Sequence, residues 1–281
     1  MGFINKILPK PLKPISRDIG FTVRSLLYII KSVNTQINKN PNFILGNQKS
    51  GTTVIASLLG ELSNKKSSID LFYSGFRYKN FLNWKKEKIS TKQFINLNKL
   101  DFSAEIIKEP HLTVFYNELK KYYPKSKFVF IVRNPIDNIR SILDRLNIKG
   151  NQLSLNNNDK NNIFHSWKLV FDNSWVGQEN NNYIENLASR WNLLFNIYKE
   201  NNDNIILIKY EDFSNNKLDC IKKLAKKLEL NELNEINHLL NKQFQSKGKN
   251  KNQDMLSFFG KENYNIILKI CGDNMRHLGY L

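Results

Sequence analysis

Gly46 and Gly51 bracket the stretch "GNQKSGTT" at the spacing of a phosphate-binding loop, which reads G-x-x-x-x-G-K-[ST]. Thr53 occupies the Ser/Thr position. Thr52 stands where the lysine belongs, and the only lysine, Lys49, lies inside the loop. The chemistry such a loop supports is anion binding. Backbone N–H groups from Lys49 to Thr53 would form a nest at a helix N-terminus. Gly51 would let the backbone approach closely, Thr52 and Thr53 would add hydroxyl donors, and Lys49 a mobile point charge. The missing Walker lysine argues against ordinary ATP or GTP chemistry. A second anion site is expected in "VRNPIDNIRSILDR" (132–145). Arg133 ends an apolar run, where an arginine is costly unless it meets an anion. Ser141 follows eight residues later, about two helical turns on, and would face the same cleft. The competing reading is a local Arg133–Asp137 ion pair with Ser141 as a filler.

Both motifs need a strand before them and a helix after them, and the sequence supplies these. "NFILG" (42–46) reads as a buried strand, and "TTVIASLLGEL" (52–62) as the helix that follows. "EIIK" (105–108) is a short strand, followed by the helix "TVFYNELKKYY". "KFVFIVR" (127–133) is the strongest strand signal, and Asn134-Pro135 opens a helix to about Leu146 with proline in its first turn. Tyr183 to Lys199 is helical, "NIILIKY" (204–210) is another strand, and residues 150–162 read as a polar loop or flap. Apolar runs alternating with helical patterns predict a three-layer α/β fold, P-loop-like, with a central parallel sheet flanked by helices. Nothing marks a domain boundary. One domain is expected over 1–281, a catalytic core (41–281) preceded by a basic, helical N-terminal extension (1–40).

These motifs carry a family resemblance. "QKSGTT", that is Gln48, Lys49, Ser50, Gly51, Thr52 and Thr53, resembles the 5′-phosphosulfate loop of sulfotransferases that use PAPS (3′-phosphoadenosine 5′-phosphosulfate). "VRNPIDNIRSILDR" resembles their 3′-phosphate motif, with Arg133 and Ser141 as its arginine and serine. "YIENLASRWNLLFN" and then "IILIKYEDF" resemble the family's later helix and strand, and "LGY" is a tail common in its bacterial and glycan-modifying branches. The similarity spans roughly 42–213 plus that tail. It implies a bacterial-type enzyme moving a sulfuryl group from PAPS, as co-substrate, to a hydroxyl or amine. No metal is implied.

The resemblance also explains the displaced lysine. A cation in the middle of the loop can reach the oxygen bridging phosphorus and sulfur, which gains charge as the bond breaks. Stabilisation of that kind is worth about 3–4 kcal/mol in comparable oxyanion sites. Tyr183 falls where the family often places an aromatic near adenine, with packing at a helix start as the competing reading. In "KEPHL", His111 matches the histidine that serves as base in the cytosolic branch. The sequence departs from that branch by reading Lys-Glu-Pro-His, so Glu109 is a rival carboxylate base and Asp70 a third candidate. Lys108 would touch the sulfuryl group or the acceptor. The cytosolic branch's C-terminal Arg-Lys-Gly motif is absent, leaving Lys247 and Lys249 as weak substitutes. The aromatic-rich segments 70–84 and 165–183 are expected to shape the acceptor pocket, with a carbohydrate or glycolipid as the favoured acceptor.

Composition bounds the remaining classes. The formal net charge of +18 fits an anionic partner, although a chain this rich in Asn, Lys and Ile also reflects AT-rich coding. Two cysteines are too few for a disulfide framework or a metal cage. No apolar run reaches the roughly 18 residues of a membrane span. No cleavable leader and no Asn-x-Ser/Thr sequon is seen, so a cytoplasmic location is expected, with weak membrane-surface association open to the N-terminal segment. Two rivals stay open: a nucleotide kinase or NTPase on the same sheet, and a non-catalytic anion-binding module. No nucleic-acid recognition motif supports a nucleic-acid partner.

Overall fold

The computed structural model describes residues 13–178, 180, 182–244 and 253–281, with side chains from residue 21 onward. Lys247 and Lys249 lie outside the described residues. The chain opens with α1 (Lys13–Ser32), then β1 (Asn42–Gly46), α2 (Thr52–Ser63) and the short β2 (Ser67–Ile69). Three short helices follow, α3 (Phe72–Phe76), α4 (Lys79–Lys85) and α5 (Thr91–Leu97), leading to β3 (Ile106–Lys108) and a 3-10 turn over Pro110–Phe115. Next come α6 (Tyr116–Tyr122), β4 (Phe128–Val132), α7 (Pro135–Leu146), α8 (Asn157–Asn162), α9 (Lys168–Phe171) and α10 (Tyr183–Glu200). β5 (Ile205–Lys209), α11 (Tyr210–Asn215), α12 (Lys217–Lys227) and α13 (Met255–His277) complete the fold.

All strand pairings are parallel, in the order β2-β3-β1-β4-β5. Successive strand side chains point to opposite faces, so each strand feeds two cores. Phe43, Leu45, Ile107, Phe128, Phe130 and Val132 join the larger core, which includes residues of α7, α10 and α13. Ile44, Ile106, Val129 and Ile131 join the smaller one, under α2 and α12. This two-sided burial is why the strands read as continuous apolar runs. It leaves the C-terminal ends of the strands, where Gly46, Lys108 and Val132 stop, as the place for a ligand.

Two details depart from the sequence reading. The edge strand β2 was not expected. The polar stretch 150–162 is not wholly loop: Asn156 caps α8 by accepting from the Asp159 backbone, and Asp159 accepts from the Asn156 N–H in return. α1 lies on the aromatic residues of α3. Phe21 stacks on Phe76 at 3.5 Å between ring centres, and Tyr28 donates to Asp101 at 2.8 Å. Among the described residues no helix is long and apolar enough to cross a membrane. Cys220 and Cys271 are both free.

Candidate active site

A cleft of about 1240 Å³ opens over the C-terminal ends of the strands. Its floor is the loop between β1 and α2. Gly46 turns the chain there with φ 139°, and a Cβ at this position would sit 2.5 Å from the Ile131 carbonyl oxygen. The loop is held from beneath by polar side chains. Asn47 donates to Asn138 at 2.8 Å, and Asn138 returns a bond to the Gln48 carbonyl at 2.8 Å. Ser50 turns inward and donates to the Asn47 carbonyl. Thr113 accepts from the Gly46 N–H at 3.0 Å. Lys49 adopts a left-handed backbone (φ 66°), as does Gly51 at φ 93°. Gly51 is the N-cap of α2, and no side chain caps that end. A Cβ on Gly51 would lie 2.3 Å from the Tyr210 ring, so only glycine lets this backbone approach so closely.

Lys49 stands in a cationic setting. Burial first, and then the charges of Arg145, Arg133 and Lys108, lower its ammonium to about 8. A site that stacks cations in this way favours an anionic ligand. Arg133 leans on the loop, donating to the Lys49 carbonyl at 3.1 Å, with its guanidinium 4.8 Å from the Tyr210 ring centre. The Asp137 carboxylate is 3.7 Å away. Asp137 is itself shared with Arg140 at 3.2 Å, so the local ion pair does not consume Arg133. Ser141 lines the same cleft. The start of α7 is braced from a distance. The Asn134 N–H donates to one oxygen of Glu211 at 2.9 Å, and Tyr280 donates to the other at 2.7 Å. The closing Leu-Gly-Tyr therefore buttresses the helix that carries Ser141.

The end of β3 delivers the titratable groups. Lys108 is buried and ion-paired with Asp70, whose side chain is half exposed. Glu109 is buried, with one carboxylate oxygen accepting from the His111 N–H at 3.0 Å and the other from the Leu71 N–H at 3.2 Å. Burial, helped by the nearby Asp70 charge and opposed by Lys108, pushes this carboxyl up to about 7. His111 moves the other way. Burial, Arg190 and Lys108 hold it well below its ordinary range, so it is neutral. Arg190, fully buried, faces the histidine Nδ1 at 3.2 Å. A guanidinium can only donate, so Nδ1 accepts and the ring proton sits on Nε2, 3.1 Å from the Gln48 carboxamide. The Gln48 amide nitrogen faces the ring and its oxygen has no partner, so turning the carboxamide over would let that oxygen accept the Nε2 proton.

Gln48, Lys49, Gly51, Thr52, Thr53, Arg133, Ser141, Glu109, His111, Lys108 and Asp70 all line the one cleft. Two expected nucleotide residues do not. Ser50 braces the loop from behind. Tyr183 packs in the larger core and donates to the Lys149 carbonyl at 2.7 Å, the arrangement of its competing reading as a packing residue at a helix start. A ring at a helix start can turn inward or outward, and here the core and a buried acceptor hold it inward. Of the aromatic segments expected to form the acceptor pocket, Phe72, Phe76 and Trp167 line the cleft, whereas Phe81, Trp84 and Trp175 are core. Asn138, Arg190 and Tyr210 were not foreseen. A signal existed for Arg190: it is an arginine amid the apolar positions Leu187, Ala188, Trp191 and Leu194.

A parallel sheet with helices on both faces and a glycine loop between β1 and α2 defines a P-loop-like α/β protein. The chain belongs to the sulfotransferase domain family, whose profile matches residues 39–265. Solved structures agree at the level of fold. The sulfotransferase STF9 from Mycobacterium avium is 9% identical with a TM-score of 0.53, covering 90% of this chain and 80% of that one. Mouse sulfotransferase SULT7A1, solved in complex with PAP, is 14% identical with a TM-score of 0.50, covering 87% and 88%. No curated protein sequence matches the chain.

Proposed function

We propose that this sulfotransferase moves the sulfuryl group of PAPS to a hydroxyl or amine of an acceptor, releasing adenosine 3′,5′-bisphosphate. The observation that carries the reading is the joint lining of one cleft by the loop nest, the Arg133–Ser141 pair and a buried carboxyl poised near neutrality. Two separated anion sites suit a nucleotide with phosphates at both 3′ and 5′ positions. The left-handed backbone at Lys49 and Gly51, at the start of α2, fits a 5′-phosphate cradled by N–H groups. Bound PAPS would supply a sulfuryl group on a phosphate leaving group, and the protein supplies the rest.

Lys49 holds positive charge at the oxygen that keeps the electron pair of the breaking S–O bond. Glu109 takes the acceptor proton as the new S–O bond forms. Each of its oxygens accepts one backbone N–H and keeps a second lone pair for that proton. A carboxyl at about 7 is half ionised near neutral pH, which suits a general base. The claim of His111 is weaker, because its Nδ1 lone pair already faces Arg190 and its Nε2 bears a proton. His111 instead positions Gln48 through its ring and Glu109 through its N–H. Lys108, between Asp70 and the cleft, offers a second cation to the sulfuryl oxygens. The cleft is also lined by Phe72, Phe76, Phe164 and Trp167, faces suited to a sugar or an apolar acceptor.

The test is ligand choice. Adenosine 3′,5′-bisphosphate at 100 times its dissociation constant should add about 2.7 kcal/mol of stability with EDTA present. Adenosine 5′-monophosphate at the same concentration should add far less. Arg133→Ala should erase most of that preference. Stabilisation only by ATP with Mg²⁺, indifferent to a 3′-phosphate, would restore the kinase reading.

A further inference from the structure

α1 is amphipathic in an unusual sense: both of its long faces are apolar. Phe21, Ser25 and Tyr28 are buried against the rest of the fold. Turned away from them, Val23, Leu26, Leu27, Ile30 and Val33 recur at helical spacing and are 49%, 58%, 53%, 67% and 69% exposed. Five large aliphatic side chains in one exposed stripe are not explained by chance surface composition. Within residues 21–33 the charges have one sign. Arg24 and Lys31, seven residues apart and so on one flank of the helix, are exposed, and residues 21–33 contain no acidic side chain. Arg77, also exposed, stands over the Phe21 and Tyr73 rings at 5.7 and 5.2 Å.

The same helix forms part of the cleft. Phe21 and Arg24 line its aromatic end, together with Phe72 and Phe76. We infer that α1 docks this protein onto an anionic lipid bilayer, its aliphatic stripe entering the acyl boundary and its basic flank meeting the headgroups, with the aromatic mouth of the cleft at the membrane surface. Apolar area supplies the attraction of an interfacial helix, and basic residues add affinity for anionic lipid. The excess of +18 over the whole chain points the same way. Docking itself needs no nucleotide chemistry. Only the delivery of a lipid-borne acceptor to the cleft rests on the transferase reading.

The experiment is flotation of the full chain with vesicles of phosphatidylcholine alone or with one quarter phosphatidylglycerol. The protein should float with the anionic vesicles and do so much less with the neutral ones. L27E/I30E should lower the partition coefficient by on the order of a hundredfold or more, since each buried aliphatic side chain contributes at least about tenfold. Its melting temperature and its stabilisation by adenosine 3′,5′-bisphosphate should stay at wild-type values. L26E/V33E, at other points of the stripe, should behave alike and decides the matter if the first pair misfolds. Failure of the wild type to float, or undiminished flotation of the variants, would overturn the inference. So would a wild-type dimer, seen by light scattering, that L27E/I30E converts to monomer, because the stripe would then be covered by a second copy. None of these outcomes touches the nucleotide test above.

Discussion

Glu109→Gln separates the proposed base from a merely structural carboxyl, because the substitution has two readouts with worked signs. The first is kinetic. A carboxyl at about 7 must be ionised to accept a proton, so kcat/KM should climb about tenfold per pH unit below 7, and it should fall again above about 8 as the Lys49 ammonium loses its proton. Gln cannot accept that proton, and turnover should fall by about 10²–10⁴ with the acid limb gone. The second readout is stability. The folded value lies above the ordinary carboxylate range, so the native state holds a proton that the unfolded chain has released. That contribution is present at low pH and lost as pH rises through about 7. Between pH 6 and pH 8 it should remove about 1 kcal/mol of stability. His111 acts in the opposite direction: buried and neutral when folded, it loses stability as pH falls. The two partly cancel in the wild-type profile. Subtracting the Glu109→Gln profile cancels the histidine and leaves the downward slope of the carboxyl. The assay is chemical denaturation across that pH window beside initial-rate measurements. A flat difference curve together with turnover within tenfold of wild type would refute the reasoning.

Lys49→Ala should lower turnover by about 10²–10³ while leaving adenosine 3′,5′-bisphosphate affinity much less affected, read by single-turnover kinetics and titration calorimetry. His111→Gln should keep the acid limb of the pH profile, since the titrating group is elsewhere; loss of the limb in this variant would return the base to His111. Gly51→Ala, with a new Cβ 2.3 Å from the Tyr210 ring and a left-handed backbone, should destabilise by about 1–3 kcal/mol and weaken nucleotide binding, measured by melting with and without ligand. Arg190→Met should cost about 1–3 kcal/mol, because the buried His111 Nδ1 loses its guanidinium donor while the Leu169 carbonyl keeps only the Trp175 indole N–H; urea unfolding checks it.

The parts legible in the sequence are those fixed by local rules. β1 and β4 are buried on both faces and so show as unbroken apolar runs. The glycine spacing of the loop is dictated by backbone geometry that a reader can count. β2 escaped because "SSI" is short, polar and at the sheet edge, where burial leaves little imprint. The capping box of α8 was hidden in a run of asparagines that looked like loop composition. Tyr183 reads either way in the sequence because a helix start allows its ring either direction, and only the Lys149 carbonyl and the core hold it inward. The case for Glu109 over His111 as the proposed base draws on a contact that the sequence does not show. It depends on Arg190, 79 residues away along the chain, meeting the imidazole in the interior.

The brace from Tyr280 through Glu211 to Asn134 has a consequence for how the protein is made. The ribosome delivers β1, its loop and α7 early, and all four inner-sheet pairings can form before α13 exists. The Asn134–Glu211 bond under the start of α7 can form then too, but the outer half of that support cannot. It needs a tyrosine 69 positions beyond its carboxylate partner. A nascent chain can therefore carry a finished sheet while the helix bearing Ser141 still lacks that outer half. Chains cut short before Leu278 should be compact yet slack at the nucleotide, and a protease that trims only those last turns would act as a dimmer on the enzyme without unfolding it.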